Sequence, residues 1–131
     1  MTTHNGFLIA SCLLGALAVA LGAFGAHGLK TVLGPQQLIT FETGVRYLFY
    51  HVFALLFVAI LYQQVPVQLV RAAGWCFIAG MILFCGSLFM LVYVQAKGLS
   101  GYKWLGPVTP LGGVAFIAGW ILLALAFMQK K

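Results

Sequence analysis

AAGWCFIAGMILFCGSLFMLVYV, residues 72–94, runs for 23 positions without an Asp, Glu, Lys or Arg. An α-helix rises about 1.5 Å per residue, so roughly 20 apolar residues cross the ~30 Å hydrocarbon layer of a bilayer. This stretch is long enough, and its apolarity is unbroken rather than alternating, which selects a helix over a barrel strand. Three further runs behave in the same way: FLIASCLLGALAVALGAFGA (7–26), VRYLFYHVFALLFVAILY (45–62) and LGGVAFIAGWILLALAFM (111–128). Segments rich in polar and turn residues separate them. The pattern predicts an all-α integral membrane four-helix bundle, with helices at about 7–27, 42–62, 71–94 and 110–128, forming one domain over 1–131.

Composition points the same way. Of 131 residues 63% are hydrophobic and only 6% charged, and the mean hydropathy is +1.08. A water-soluble domain of this size needs a charged surface that such a chain cannot supply. The net charge of +6 comes from seven scattered Lys and Arg against the single acid, Glu42. Because no four basic residues cluster, a nucleic-acid partner is not expected, and the cations suit anionic headgroups at helix ends. Cys12, Cys76 and Cys85 lie inside apolar runs at no metal or redox spacing, so they read as small packing residues.

The first run carries a small-residue tripeptide, Ala23-Phe24-Gly25, that resembles a signal-peptide cleavage site. Its apolar core exceeds the usual ~7–15 residues and no Lys or Arg precedes it, so a membrane helix is expected there. Orientation rests on a near tie. The side holding the N-terminus (side A) carries Arg71, Lys130 and Lys131, and the opposite side (side B) carries Lys30, Arg46, Lys97 and Lys103. The C-terminal Lys pair favours cytoplasmic termini, and dual topology stays open. Gly15, Ala18, Gly22 and Ala26 form a small-residue stripe on the first helix, as do Ala115 and Gly119 on the fourth. Such stripes serve packing within the chain or an oligomer contact.

The polar residues gather toward side B. His27 closes the first helix there, Glu42, Arg46 and Tyr47 open the second, Ser87 lies in the later half of the third, and Thr109 and Pro110 start the fourth. Glu42 and Arg46 stand at i, i+4 with the acid first, the favourable order for a helical ion pair. Near the start of its helix Glu42 also suits the dipole. Two readings stand beside each other: a cap plus a salt bridge that pins the helix, or a charged pair lining a pocket. His51 lies about 13 Å deeper than Glu42, one turn below Tyr47, which suggests a Tyr–His hydrogen bond. Intramembrane histidines are functional candidates and also common interhelical glue. His27 and His51 differ in depth, which argues against a shared haem, and no carboxylate sits at metal-ligand spacing. Thr109 reads as an N-cap with Pro110 in the first turn. Leu33-Gly34-Pro35 is faintly echoed by Leu105-Gly106-Pro107.

The segments LGAFGAHGL, FETGVRYLFYHVFAL, FCGSLFML and PVTPLGGVAFIAGW, in this order and spacing, resemble the domain of unknown function 423 family of bacterial inner-membrane proteins, which has small eukaryotic transmembrane relatives. The resemblance spans about residues 6–125. It implies a four-helix integral membrane protein of the bacterial inner membrane with no established biochemical role, and it assigns no catalytic residue. Its motif positions here include His27, Tyr47, His51, Ser87, Thr109, Pro110, Gly112, Gly113, Gly119 and Trp120.

The expected function is therefore binding or transport of a small amphipathic molecule or a lipid by a side-B cluster of His27, Glu42, Arg46, Tyr47, His51, Ser87 and Thr109. Four helices leave little room for an aqueous path, so a homo-oligomer is expected. The alternative is a structural or accessory protein in which the same cluster serves only packing. No Ser–His, paired-carboxylate or metal arrangement suggests an enzyme, and no cofactor is expected.

Overall fold

The computed structural model describes residues 3–62, 64–65 and 67–129, so Lys130 and Lys131 of the charge balance lie outside the described residues. Helix α1 covers Asn5–His27 and α2 covers Pro35–Leu61. The third span is made of α3 (Val67–Gly80), a π-helical turn (Met81–Cys85) and α4 (Gly86–Ala96), and α5 covers Leu105–Met128. Four helical stretches are each long and apolar enough to cross a bilayer, as the sequence predicts.

Three boundaries differ from expectation. Helix α2 begins seven residues before the expected start at 42, because Gly34 and Pro35 form a helix start. Gly34 is extended, Pro35 occupies the first helical position, and the Gly34 N–H donates to Gln37 Oε1 at 3.1 Å. Glu42 is thus two turns inside the helix, and no acid occupies the first turn; the expected cap–dipole role of Glu42 is overturned. The third span starts at Val67 rather than 71. Helix α5 starts at Leu105 rather than 110, so Thr109 is no N-cap and Pro110 lies inside the helix. Both Leu-Gly-Pro tripeptides fall where the chain turns into a helix starting from side B.

Neighbouring spans are antiparallel and interlock by setting glycines against larger side chains. Along α1, Gly15, Gly22 and Gly25 face Val52, Val45 and Phe41 of α2. Gly15, Ala18 and Gly22 of the small-residue stripe are therefore packed within the chain, Ala18 wholly buried, whereas Ala26 is exposed. The third span meets α5 through Phe77–Gly119, Gly80–Phe116 and Phe84–Gly112, with steps of three and four residues on both sides. At the last of these the backbone of Phe84, inside the π turn, lies directly against Gly112. A side chain at Gly112 would collide with main chain rather than with a movable ring, which is why only glycine fits.

These contacts arrange the spans in sequence: α1 packs on α2, α2 on the third span, and the third span on α5. Helix α2 is central and contributes the densest run of core residues, Leu48, Val52, Leu55, Val58 and Ala59. Helix α1 is held at its start by His4. The His4 N–H donates to Ala59 O (3.1 Å), and His4 Nδ1 accepts the Phe7 N–H (3.1 Å) as an N-cap.

Candidate functional site

The expected side-B cluster divides into separate places. Deepest is His51, only 5% exposed. Its Nδ1 lies 2.8 Å from Tyr47 O. A carbonyl can only accept, so Nδ1 carries the proton. Its Nε2 accepts from Trp120 Nε1–H at 3.3 Å. The two bonds together fix the neutral Nδ1–H tautomer. The imidazole also stacks on Phe116, with centroids 3.5 Å apart and an interplanar angle of 8°, and Phe77 closes its other approach at 5.6 Å. Tyr47 does lie beside His51, but it engages the imidazole through its backbone carbonyl; the expected phenol hydrogen bond is not what holds the ring.

Helices α2 and α5 pack little directly. Between them runs a groove of about 550 Å³ lined by Tyr47, Tyr50, His51, Phe84, Gly113, Phe116, Ile117 and Trp120. Tyr47 and Tyr50 stand at its rim, 38% and 54% exposed, with rings edge-on at 5.8 Å. The His51–Trp120 hydrogen bond ties the two helices across this seam.

The second place is a hydroxyl pair between the third span and α5. Ser87 Oγ–H donates to Phe84 O at 2.9 Å, and Thr109 Oγ1 lies 2.6 Å from Ser87 Oγ. With Ser87 donating to the carbonyl, Thr109 donates to Ser87. The serine thus bonds a carbonyl of the π turn while linking α5. Thr109 therefore acts by cross-linking.

The third place holds Glu42 and Arg46, both exposed. They line a shallow groove of about 150 Å³ with Gly22, Gly25, Ala26, Phe41 and Val45. Among the described residues they form no salt bridge within 4.0 Å, so the expected ion pair is overturned. Two exposed, flexible side chains gain too little from pairing to offset their lost freedom. His27 is exposed and stands apart, its Nδ1 turned back to Ala23 O at 3.2 Å. Of the seven candidate residues, the structure brings together Tyr47 with His51 and Ser87 with Thr109. Glu42 and Arg46 share only their shallow groove, and His27 lines neither that groove nor the one beside His51.

Trp120 and Phe116, which complete the His51 environment, were not among the candidates. The available signal was the indole N–H in the middle of an apolar span, a donor that needs a partner when half-buried. Among the described residues no three His, Cys, Asp or Glu converge as a metal site, and no buried side-chain N or O lacks a hydrogen-bond partner. Both ring nitrogens of His51 are engaged, Nδ1 by the Tyr47 carbonyl and Nε2 by the Trp120 indole N–H.

Four antiparallel, apolar spans joined by short connections define a small polytopic membrane protein. Comparison with known proteins places it more closely. The chain belongs to the family described as protein of unknown function (DUF423), which matches residues 21–113. It is similar to UPF0382 membrane protein YwdK of Bacillus subtilis (strain 168), with 43% identity over 124 residues, covering 94% of this chain and 96% of the relative. It is also similar to UPF0382 membrane protein SAB0533 of Staphylococcus aureus (strain bovine RF122 / ET3-1), with 42% identity over 120 residues, 92% of this chain and 93% of the relative. No solved structure matches the chain.

Proposed function

We propose that this protein binds a small amphipathic molecule or a lipid in the groove between α2 and α5, without chemical turnover, in the bacterial inner membrane with both termini cytoplasmic. The supporting observation is the seam itself. Two spans that could have packed stand apart, bridged by His51 and Trp120, around about 550 Å³, within the usual ~300–1,000 Å³ of ligand sites. Its walls are aromatic and its rim carries two phenols, which suits a guest with an apolar body and a polar end.

A structural or accessory role is the second reading. It is favoured by the complete internal satisfaction of buried polar side chains among the described residues, which leaves His51 nothing to offer a guest. One experiment separates the two. A Cβ at Gly113 meets nothing closer than 3.9 Å, so Gly113→Leu would fill the groove while keeping the helix. Native mass spectrometry from gentle detergent should show a co-purified small molecule on the wild type and its loss from Gly113→Leu. A bare wild type, or a folded variant that retains every molecule bound to the wild type, would refute the binding role.

A further inference from the structure

We infer that a second site, distinct from the α2–α5 groove and independent of its function, binds one anionic phospholipid at side B, with an acyl chain in an apolar groove and the headgroup phosphate on Lys97. The groove, of about 450 Å³, lies between the end of α1, the turn that follows it, the start of α2 and the end of α4. Its floor is Phe41, which is buried, tilted against Phe89 at a centroid distance of 5.2 Å. Phe24 and Leu33 form walls, and Tyr93 and Lys97 stand at the mouth.

Three observations point to a lipid rather than to an arbitrary apolar surface. The first is the sequence of chemistry along the groove: aromatic and aliphatic inside, then a phenol that is 57% exposed, then an exposed cation. That order is the one found from acyl chain to headgroup. The second is that Lys97 has no other task. The end of α4 is closed by main chain: Gly98, at φ +65°, donates to Gln95 O at 3.1 Å, and Leu99 donates to Val94 O at 2.9 Å. This is a Schellman closure, which leaves no need for a cationic side chain on the last carbonyls. The third is charge. The chain's single acid, Glu42, lines a different groove, and among the described residues Lys97 has no carboxylate partner within 4.0 Å. An unpaired ammonium at the mouth of an apolar groove complements a phosphodiester.

The test is native mass spectrometry of the full chain in gentle detergent, titrated separately with phosphatidylglycerol and phosphatidylcholine. The wild type should retain phosphatidylglycerol in preference to phosphatidylcholine. Lys97→Gln should weaken that retention about fivefold, the effect of one basic residue near an anionic headgroup. Lys103→Gln removes a side-B charge that does not line the groove and should change little. Ala96→Trp, or Val32→Trp should the first fail to fold, fills the groove from its exposed edge and should abolish retention. Gly113→Leu, in the other groove, should leave it intact. Equal retention of the two lipids, an equal loss in Lys97→Gln and Lys103→Gln, or unaltered binding in a folded groove-filling variant would each overturn the assignment. Displacement by inorganic phosphate alone would do so as well, by showing a free-anion site.

Discussion

Gly112 and Gly113 are adjacent, identical in chemistry, and in the same turn of α5, yet alanine should have opposite effects at the two positions. A Cβ at Gly112 would stand 2.7 Å from Phe84 Cα and closer still to its amide nitrogen. Carbon atoms in good contact sit about 3.5–4.0 Å apart, so α5 and the third span would have to separate by about 1 Å where they cross. A phenyl ring could swing aside; the main chain of the π turn cannot. Overpacking of this kind costs about 1–3 kcal/mol. At Gly113 the added methyl would make ordinary contact with the Phe84 ring, at 3.9 and 4.0 Å. Alanine gains up to about 1 kcal/mol of helix propensity over glycine at either site. The expected net effects are a loss of about 1–2 kcal/mol for Gly112→Ala and a gain of up to about 1 kcal/mol for Gly113→Ala. Thermal or SDS unfolding of the full chain in mild micelles, followed by tryptophan fluorescence, reads the difference directly. Equal stability of the two variants, or a less stable Gly113→Ala, would refute the claim that main-chain contact at Phe84 sets the α5 crossing.

Three other outcomes are expected. Ser87→Ala and Thr109→Val should each destabilise by about 0.5–1.5 kcal/mol, with a double-mutant coupling near 0.6 kcal/mol, the usual size of an interhelical hydrogen bond in a membrane; additive losses would disprove the hydroxyl link. Trp120→Phe keeps an aromatic ring at the seam but removes the indole N–H and part of the ring, so unfolding should show a loss of at least about 0.5–1 kcal/mol and native mass spectrometry an altered guest occupancy. Glu42→Gln and Arg46→Gln should each change stability by less than about 0.5 kcal/mol, since both residues are exposed and unpaired with each other. A larger loss in either thermal unfolding curve would restore the pinning role that the geometry denies them.

The four spans were legible because apolar length alone identifies them, and 72–94 or 111–128 admits no soluble alternative. Gln36, Gln37 and Thr40 have loop-like polarity, which hides the start of α2, and Pro110 hides that of α5 because proline suits a first turn. A membrane helix can extend beyond the hydrocarbon, and its polar groups there are satisfied locally: Thr40 Oγ1–H donates to Gln36 O at 3.0 Å and Thr43 Oγ1–H to Ile39 O at 2.9 Å. Gly34-Pro35 and Gly106-Pro107 carried the better signal. At the site, i→i−4 relations such as Tyr47–His51 could be read from spacing, whereas Trp120 could not be paired with His51. That pairing depends on which spans are neighbours and on their register. The Glu42–Arg46 spacing permitted a bond that exposure leaves without sufficient reward. The π turn has no composition of its own; only Gly80 before it and Gly86 after it hint at a place where the backbone is easily rewound.

The sequential packing of the spans has a consequence for biogenesis. Along most of its length α1 rests on α2, reaching the third span through Phe7, which contacts Gly74 and Trp75, while the third span and α5 interlock through four matched positions. Each half of the chain is thus a helical hairpin that can enter the bilayer and close before the other is made. The α2–α3 connection then joins two preformed units, and docking α2 against the third span is the step that buries His51 and completes the molecule.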